Sequence, residues 1–223
     1  MKIKTIAIGT LLLIGANGHA QQLTLKADNI DQIVKELTLE EKARLLVGRE
    51  NSKSMTGVPG AAGTTQGVER LGIPSIVLTD GPAGVRISPT RKGDPQTYYA
   101  TGFPVGTALA CTWNPELVEN VGKAIGEETL EYGCDILLAP GMNIHRTPLC
   151  GRNFEYFSED PIISGIITAA YVNGVQSNGV GTSIKHYAVN SQETNRIEVN
   201  EVVSQRAPVS YTHLRAHETR RHL

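Results

Sequence analysis

The 223-residue sequence has little of what marks several classes of protein. It contains three cysteines and no Cys-x-x-Cys pair, so neither a disulfide scaffold nor a zinc site is expected. The odd cysteine count leaves at least one thiol unpaired. The formal net charge is −1 without a basic block, which gives no indication of a nucleic-acid partner. Hydrophobic residues at 40% and charged residues at 19% are ordinary values for a soluble globular protein.

An apolar run near the N-terminus predicts a processing signal. Lys2 and Lys4 precede the apolar run 6–14, which is too short to span a bilayer as a stable helix. Small residues before and at Ala20 suit a signal peptidase, so residues 1–20 are predicted to be a signal peptide. The expectation is a secreted or periplasmic protein with no membrane partner after cleavage. An uncleaved membrane anchor is the alternative.

The C-terminal residues 208–223 differ in character from the rest of the sequence. They show no apolar periodicity and contain His213, His217 and His222, half of the six histidines. The spacing of these histidines suits no standard zinc motif, so no metal site is expected there. The run resembles a translated transposase-type sequencing adapter, and we hypothesise that it is not native. The folded domain is therefore expected within residues 21–207.

Within the domain, apolar runs alternate with helical patterns. Helical patterns cover residues 30–47, where a second helix is predicted to start at Thr38, and further helices are predicted to start at Asn114 and at Pro161. Strands are predicted at residues 75–79, near 105–111, at 135–140 and at 179–186. Residues 51–66 and 87–101 are predicted to be loops. The predicted strands are continuously apolar rather than alternating, which favours parallel strands buried on both faces of an α/β fold. Polar residues cluster after these strands, where active sites of such folds lie.

Three polar motifs follow predicted strands and carry the candidate site residues. The first is Asp80-Gly81-Pro82-Ala83-Gly84-Val85-Arg86; the second runs from Cys150 to Pro161; the third is Lys185-His186-Tyr187-Ala188-Val189-Asn190. A carboxylate at a strand end can accept hydrogen bonds from vicinal hydroxyls, although Asp80 could instead cap an ordinary turn.

The second and third motifs supply candidate donors. The guanidinium of Arg152 holds its N–H donors in a fixed planar geometry that suits hydrogen bonds to hydroxyls or to a carboxylate. The alternative is an Arg–Glu pair with a purely structural role. Glu159 and Asp160 are interpreted as part of a helix start. Lys185 and His186 offer ammonium and imidazole donors to the oxygens of a ligand; a Schiff-base lysine, as in an aldolase-like barrel, or a histidine general base are the alternatives.

Together, in this order, the three motifs resemble the N-terminal barrel domain of glycoside hydrolase family 3, the β-glucosidase type, over about residues 27–207. The resemblance implies an incomplete (β/α)8 TIM-type barrel that comprises only its N-terminal part. A complete barrel takes about 250 residues. It also implies that Asp80, Arg152, Lys185 and His186 bind the non-reducing sugar and that Arg86 braces the site. No metal or organic cofactor is implied.

The resemblance further implies a retaining glycosidase that removes terminal non-reducing β-D-glucosyl residues from a β-glucoside or oligosaccharide. Such chemistry needs a nucleophile and an acid/base carboxylate about 5–5.5 Å apart. In this family both lie beyond the last residue of this sequence, so no catalytic residue is assigned and the 223-residue chain is expected to be inactive. The sequence at Lys185-His186 disfavours the N-acetylglucosaminidase branch, and Asp80 disfavours the β-xylosidase branch, which tends to carry glutamate there. A β-xylosidase, another β-glycosidase or a catalytically dead carbohydrate-binding remnant are the alternatives.

Overall fold

The computed structural model describes residues 23–48 and 58–204. The elements of these segments, in chain order, are α1 (Ile30–Glu36), α2 (Leu39–Leu46), β1 (Gly63–Thr64), a 3-10 turn (Glu69–Leu71), β2 (Val77–Asp80), α3 (Gly106–Ala110), α4 (Pro115–Glu131), β3 (Ile136–Leu138), a second 3-10 turn (Asn153–Glu155), α5 (Pro161–Gln176) and β4 (Gly181–Thr182). The predicted signal peptide, residues 1–20, and the predicted non-native residues 208–223 lie outside the described residues.

The strands form one sheet in the order β1-β2-β3-β4. β2, β3 and β4 are parallel, and Asp80 is paired with Leu138 across β2 and β3. Because α4 connects β2 to β3 and α5 connects β3 to β4, the unit repeats strand, helix, strand, as predicted. The carboxyl ends of β2, β3 and β4 therefore lie along one edge of the sheet.

The helices begin where the sequence predicts them. Thr38 and Glu41 form a reciprocal capping box at α2. The Asn114 side chain accepts a hydrogen bond from the backbone N–H of Leu117 at the start of α4. Asp160 caps α5 through Oδ1, which accepts from the backbone N–H groups of Ile162 and Ile163 at 2.7 and 3.1 Å. The interpretation of Asp160 as a capping residue is confirmed.

The main core lies between the sheet and the helix pair α4–α5. Its members are apolar and buried on the sheet, the helices and the connecting loops: Val85, Leu109, Ala110, Val118, Ile125, Leu137, Ala139, Phe157, Ile167, Ala170, Tyr171, Val175 and Val180. The two helices approach closely because glycines face each other. A Cβ on Gly174 would lie 2.1 Å from the backbone oxygen of Glu119, and one on Gly122 would lie 2.5 Å from that of Tyr171. This contact fixes how α4 and α5 lie on the sheet.

Three details differ from the sequence-based expectations. The run 105–111, predicted to be a strand, contains the helix α3, and the hydroxyl of Thr107 donates to the backbone oxygens of Asn153 and Tyr156. The predicted loop 51–66 contains β1, which pairs antiparallel with β2. The predicted last strand, 179–186, forms ladder pairs only at Gly181 and Thr182, and a single bridge joins Lys185 to Gly141 further along.

Within the described residues, no helix combines the length and the apolar character needed to cross a lipid bilayer.

Candidate functional site

The four predicted site residues lie at the carboxyl edge of the sheet. Asp80 is the last residue of β2, and Lys185 and His186 follow β4. Arg152 precedes the 3-10 turn in the long segment between β3 and α5. The structure brings them into two directly bonded clusters, Asp80 with Lys185 and Arg152 with His186. Since Lys185 and His186 are consecutive in the chain, the two clusters form one continuous site.

The turn after β2 presents the Asp80 carboxylate to this edge. Gly81 has φ +145°, and a Cβ there would lie 1.8 Å from the backbone oxygen of Gly84, so the turn requires glycine. The backbone N–H of Arg86 donates to the Asp80 carbonyl at 2.9 Å, which closes the turn. The guanidinium of Arg86 lies 3.7 Å from Asp80 Oδ2, and its side chain is exposed.

Asp80 and Lys185 form a half-buried ion pair. The Lys185 ammonium and the backbone N–H of Gly81 both donate to Oδ1 of Asp80. Burial alone would raise the pKa of the Asp80 carboxyl, but the hydrogen bond and charge of Lys185, with the help of Gly81 and Arg86, hold the pKa below its ordinary value. Asp80 is therefore a carboxylate at neutral pH. Its side chain remains 34% exposed at the edge of the sheet.

Arg152 is held between an acid and an imidazole. Its Nε donates to Glu155 Oε1, and its Nη2 lies 2.7 Å from Nε2 of His186. Glu193 stands farther off, 4.0 Å from Nε, and pairs with Arg196 at 3.2 Å. Burial opposes the charged form of Arg152, yet the hydrogen bond and the charge of Glu155 raise its pKa. Arg152 is a fixed cation, and the Arg–Glu pair that the sequence left as an alternative is present within the site.

His186 is anchored through its backbone as well as its ring. The nearly inaccessible Asn143 accepts from the His186 backbone N–H at 2.8 Å and donates to the His186 backbone oxygen at 3.3 Å. On the ring, Nδ1 lies 3.0 Å from the hydroxyl of Tyr156. Burial, reinforced by the charges of Arg152 and Lys185, lowers the pKa of His186 to about 4. The imidazole is therefore neutral near pH 7.

Tyr156 and Asn190 complete the surroundings of His186. Tyr156 is fully buried, and burial raises the pKa of its hydroxyl to about 12. Asn190 Nδ2 lies 2.8 Å from both the Tyr156 hydroxyl and Glu193 Oε1. The sequence analysis placed both residues inside the polar motifs and assigned neither a role, and it missed Asn143. Tyr156 and Asn190 each lie four residues from a predicted sugar contact, which does not identify their partners, and Asn143 has no such neighbour in the sequence.

The cysteines and acids of the region do not form a metal site. All three cysteines are free thiols, and burial raises the pKa of the Cys134 thiol to about 11. Among residues 23–48 and 58–204, no cluster of three histidine, cysteine, aspartate or glutamate side chains could hold a metal ion. At this edge of the sheet, the Asp80 carboxylate can accept hydrogen bonds, and the Lys185 and Arg152 cations can donate them. Such a set of groups suits a neutral ligand with several hydroxyls.

Comparison with known proteins identifies the family of this chain. The model of the glycosyl hydrolase family 3 N-terminal domain matches residues 7–218. Thermostable beta-glucosidase B of Acetivibrio thermocellus is 48% identical over 187 residues, which are 81% of this chain and 23% of that protein. An exo-alpha-(1->6)-L-arabinopyranosidase of Bifidobacterium longum is 47% identical over 178 residues, which are 78% of this chain and 22% of that protein.

Solved structures show the same relationship. Beta-glucosidase 3B from Thermotoga neapolitana, in complex with alpha-D-glucose, superposes with a TM-score of 0.72 at 58% identity over 75% of this chain and 24% of the other. A beta-glucosidase from Paenibacillus barengoltzii gives a TM-score of 0.72 at 36% identity over 85% of this chain and 21% of the other. The chain thus spans about a quarter of the length of these relatives. The prediction of part of a TIM-type barrel is confirmed, and the chain belongs to the N-terminal domain of glycosyl hydrolase family 3.

Proposed function

We propose that the complete protein hydrolyses terminal non-reducing β-D-glucosyl residues and that this chain supplies the wall that binds the hydroxyls of the terminal sugar. The observation that carries the proposal is the meeting of Asp80, Lys185 and Arg152 at the carboxyl edge of the parallel strands. Several relatives are named beta-glucosidases, and one solved neighbour holds glucose. Ligands of α/β barrels bind at this edge.

The ion pair can hold two neighbouring hydroxyls. Asp80 can offer Oδ2 to a sugar O–H, since Oδ1 already accepts from Lys185 and Gly81 and the exposed guanidinium of Arg86 stands 3.7 Å from Oδ2. The Lys185 ammonium has three N–H donors, of which one meets Asp80, so it can also donate to a sugar oxygen. An acceptor beside a donor matches vicinal hydroxyls, each of which can both donate and accept. Charged partners make such hydrogen bonds about twice as strong as neutral ones.

Arg152 provides a second anchor whose direction is fixed. Of its five N–H donors, the one on Nε meets Glu155 and one on Nη2 meets His186. The remaining donors are available to a ligand because the side chain is 22% exposed. Asp80, Lys185 and Arg152 are proposed to contact the sugar directly, while His186, the fourth predicted residue, contributes through its contact with Arg152.

The proposed mechanism is retaining, with a covalent glycosyl intermediate formed on one carboxylate and a second carboxyl acting as acid and then base. The acids of the described site are already paired with cations: Asp80 with Lys185, Glu155 with Arg152 and Glu193 with Arg196. The hydrogen bond and charge of Lys185 hold the pKa of Asp80 below its ordinary value, so Asp80 is a poor proton donor near pH 7. As the resemblance to glycoside hydrolase family 3 implies, we propose that other parts of the complete protein supply both catalytic carboxyls and that the 223-residue chain alone is inactive.

A second candidate substrate class is a pentopyranoside. One relative is named an arabinopyranosidase, and a β-xylosidase remains an alternative from the sequence. A pentopyranose lacks the hydroxymethyl group of glucose. The short side chain of Asp80 leaves more room than a glutamate would for that group, which favours a hexose.

A kinetic comparison of aryl glycosides tests the proposal. The complete protein is assayed on 4-nitrophenyl β-D-glucoside, β-D-xyloside and α-L-arabinopyranoside, and the 223-residue chain is assayed beside it. The glucoside is expected to give the highest kcat/KM, and the 223-residue chain is expected to give none above buffer. A higher kcat/KM for a pentopyranoside would overturn the substrate assignment. Turnover by the short chain would overturn the placement of the catalytic carboxyls.

We also propose export, on the grounds of the predicted signal peptide alone. N-terminal sequencing of protein recovered from the medium or periplasm is expected to begin at Gln21. A cell-associated protein that retains Met1 would contradict it.

A further inference from the structure

Helix α5 lacks the charged face that a surface helix usually has. Its sixteen residues, Pro161–Gln176, include no aspartate, glutamate, lysine or arginine. Ile167, Tyr171 and Val175, spaced four residues apart, pack one face of the helix into the main core. A helix that is apolar all round is typical of a buried position. The sequence of α5 therefore indicates that its other face is covered as well.

The face of α5 opposite the core is apolar and exposed. By the helical repeat it consists of Ile162, Ile166, Ala169 and Asn173, which we call the α5 stripe. Ile162 is 68% exposed and Ile166 is 52% exposed. Because these two isoleucines lie one helical turn apart, they form a continuous apolar surface and not two scattered side chains.

Helix α4 has the opposite character beside the α5 stripe. A groove of about 700 Å³ lies between the two helices, and its α4 wall carries Glu116, Glu119, Asn120 and Lys123. Glu119 and Lys123 form an ion pair at 3.0 Å, and both side chains are partly exposed. The α4 wall is therefore suited to contact with water, whereas the α5 wall of the same groove is not.

The neighbouring helices of a barrel would not cover the α5 stripe. In a complete (β/α)8 barrel the helices form an outer ring around the strands, so each helix meets its neighbours at its flanks. α4 meets α5 in this way, since a Cβ on Gly122 would lie 2.5 Å from the backbone oxygen of Tyr171. The stripe lies on the side of α5 that faces away from the sheet. Completing the ring therefore leaves Ile162 and Ile166 exposed.

Relatives of this chain contain enough polypeptide outside a barrel to cover the stripe. The 187 residues matched in the Acetivibrio thermocellus protein are only 23% of its length. A complete barrel takes about 250 residues, so more than half of such a protein lies outside the barrel. A surface in the same polypeptide meets the stripe at a high effective concentration, an advantage that a second copy in solution lacks.

We propose that the α5 stripe is an interface inside the complete protein, covered by an apolar surface of the polypeptide that lies outside the barrel. Ile162 and Ile166 form the apolar centre of this interface, and the polar α4 wall forms its rim, an arrangement typical of protein interfaces. α5 leads away from the carboxyl edge of the sheet because it connects β3 to β4. The stripe therefore starts beside the candidate site, although none of the site residues belongs to the interface.

Thiol labelling of the complete protein tests whether the stripe is covered. Ile166→Cys places a thiol on the stripe, and Glu131→Cys, at the exposed last residue of α4, is the matched control. Both variants carry Cys111→Ser, because Cys111 is an exposed thiol, and peptide mass spectrometry locates the label. In the native protein the maleimide reaction at position 166 is expected to be at least about tenfold slower than at position 131, since a covered thiol reacts only when the interface opens. A smaller difference would overturn the proposal.

Dilution distinguishes a cover within one polypeptide from a second copy. Protection within one molecule does not depend on concentration, so the slow reaction at position 166 should persist on dilution by a factor of about 100. Protection that is lost on dilution would identify a second copy as the cover and overturn the proposal. Neither rate depends on catalysis, so the interface and the proposed hydrolysis can fail separately.

Photo-crosslinking of the complete protein identifies the covering part. A diazirine-bearing amino acid replaces Ile162, and mass spectrometry of the crosslinked peptides maps its partner. Crosslinks are expected within one polypeptide, to residues outside the barrel. Crosslinks confined to the barrel helices, crosslinks between differently isotope-labelled copies, or no crosslinks at all would overturn the proposal.

Discussion

The Lys185 ammonium donates a hydrogen bond to the carboxylate of Asp80, which lies 105 residues earlier in the sequence. Asp80 ends β2 and Lys185 follows β4, and β3 lies between these two strands in the sheet. The ion pair therefore lies across the carboxyl end of β3. Two side chains from non-adjacent strands meet only if all three parallel strands are in register. The ion pair thus links the formation of the sheet to the formation of the site.

Replacing Asp80 with alanine in the complete protein should lower kcat/KM by a factor of about 100 or more. The variant loses the proposed charge-assisted contact to the sugar and leaves the half-buried Lys185 without its partner, effects worth about 3 kcal/mol together. Asp94→Ala is the matched control, since Asp94 pairs with Tyr98 in the loop 87–101. Steady-state kinetics on an aryl β-glucoside measures both. Equal kcat/KM for Asp80→Ala and wild type would remove Asp80 from the site.

The low pKa of His186 predicts a pH-dependent stability. The pKa is about 4 in the folded protein against 6.5 as the ordinary value. Between these values the unfolded chain binds more protons, so the free energy of unfolding should fall as the pH falls from about 6.5 towards 4. His186→Gln, which cannot titrate, should show a shallower decline. Urea unfolding of both proteins between about pH 7 and pH 5 measures the difference. Parallel declines would contradict a neutral, half-buried imidazole.

Asp160 is predicted to stabilise the protein without serving the site. Its Oδ1 accepts from two backbone N–H groups at the start of α5, and loss of such a cap costs about 1 kcal/mol. Asp160→Ala should lower the melting temperature, and Asp160→Ser should recover most of the loss because serine also caps. KM for the aryl glucoside should stay the same in both. A changed KM would show that Asp160 acts on the sugar.

The close approach of α4 and α5 predicts a strong effect at Gly174. Gly174→Ala would drive a methyl group against the Glu119 carbonyl, and overpacking of this kind costs about 1–3 kcal/mol. Gly102→Ala is the control, because a Cβ on Gly102 meets nothing within 4 Å. Thermal unfolding should separate the two variants clearly. A Gly174→Ala protein as stable as the control would show that the helices can move apart at little cost.

Much of the fold could be predicted from local signals. The starts of α2, α4 and α5 followed from a side-chain cap at Thr38, Asn114 and Asp160, with proline next in the last two, and these signals act over a few residues. Continuous apolar runs likewise predicted β2 and β3.

The secondary-structure predictions were wrong where contacts between residues far apart in the sequence determine the structure. The run 105–111 is short and apolar, and such a run suits a buried strand or a helix equally well. Its helix α3 is fixed by contacts of Thr107 and Gly106 with backbone oxygens near residue 155. Likewise β1 is only two residues long and exists because β2 offers it a partner. No local pattern carries that information.

The residues of the candidate site could be predicted from the sequence, but their contacts with one another could not. Position after a strand indicated Asp80, Lys185, His186 and Arg152, and the structure places all four together. The sequence could not show that both nitrogens of His186 are occupied by other side chains. That depends on Tyr156, 30 residues away.

A crystal structure of the complete protein with glucose bound tests the sugar-binding wall most directly. We predict sugar hydroxyls within hydrogen-bonding distance of Asp80 Oδ2, the Lys185 ammonium and a guanidinium nitrogen of Arg152, with the Arg152–His186 contact intact. Glucose bound elsewhere, with these three side chains facing only solvent or other protein groups, would contradict the assignment.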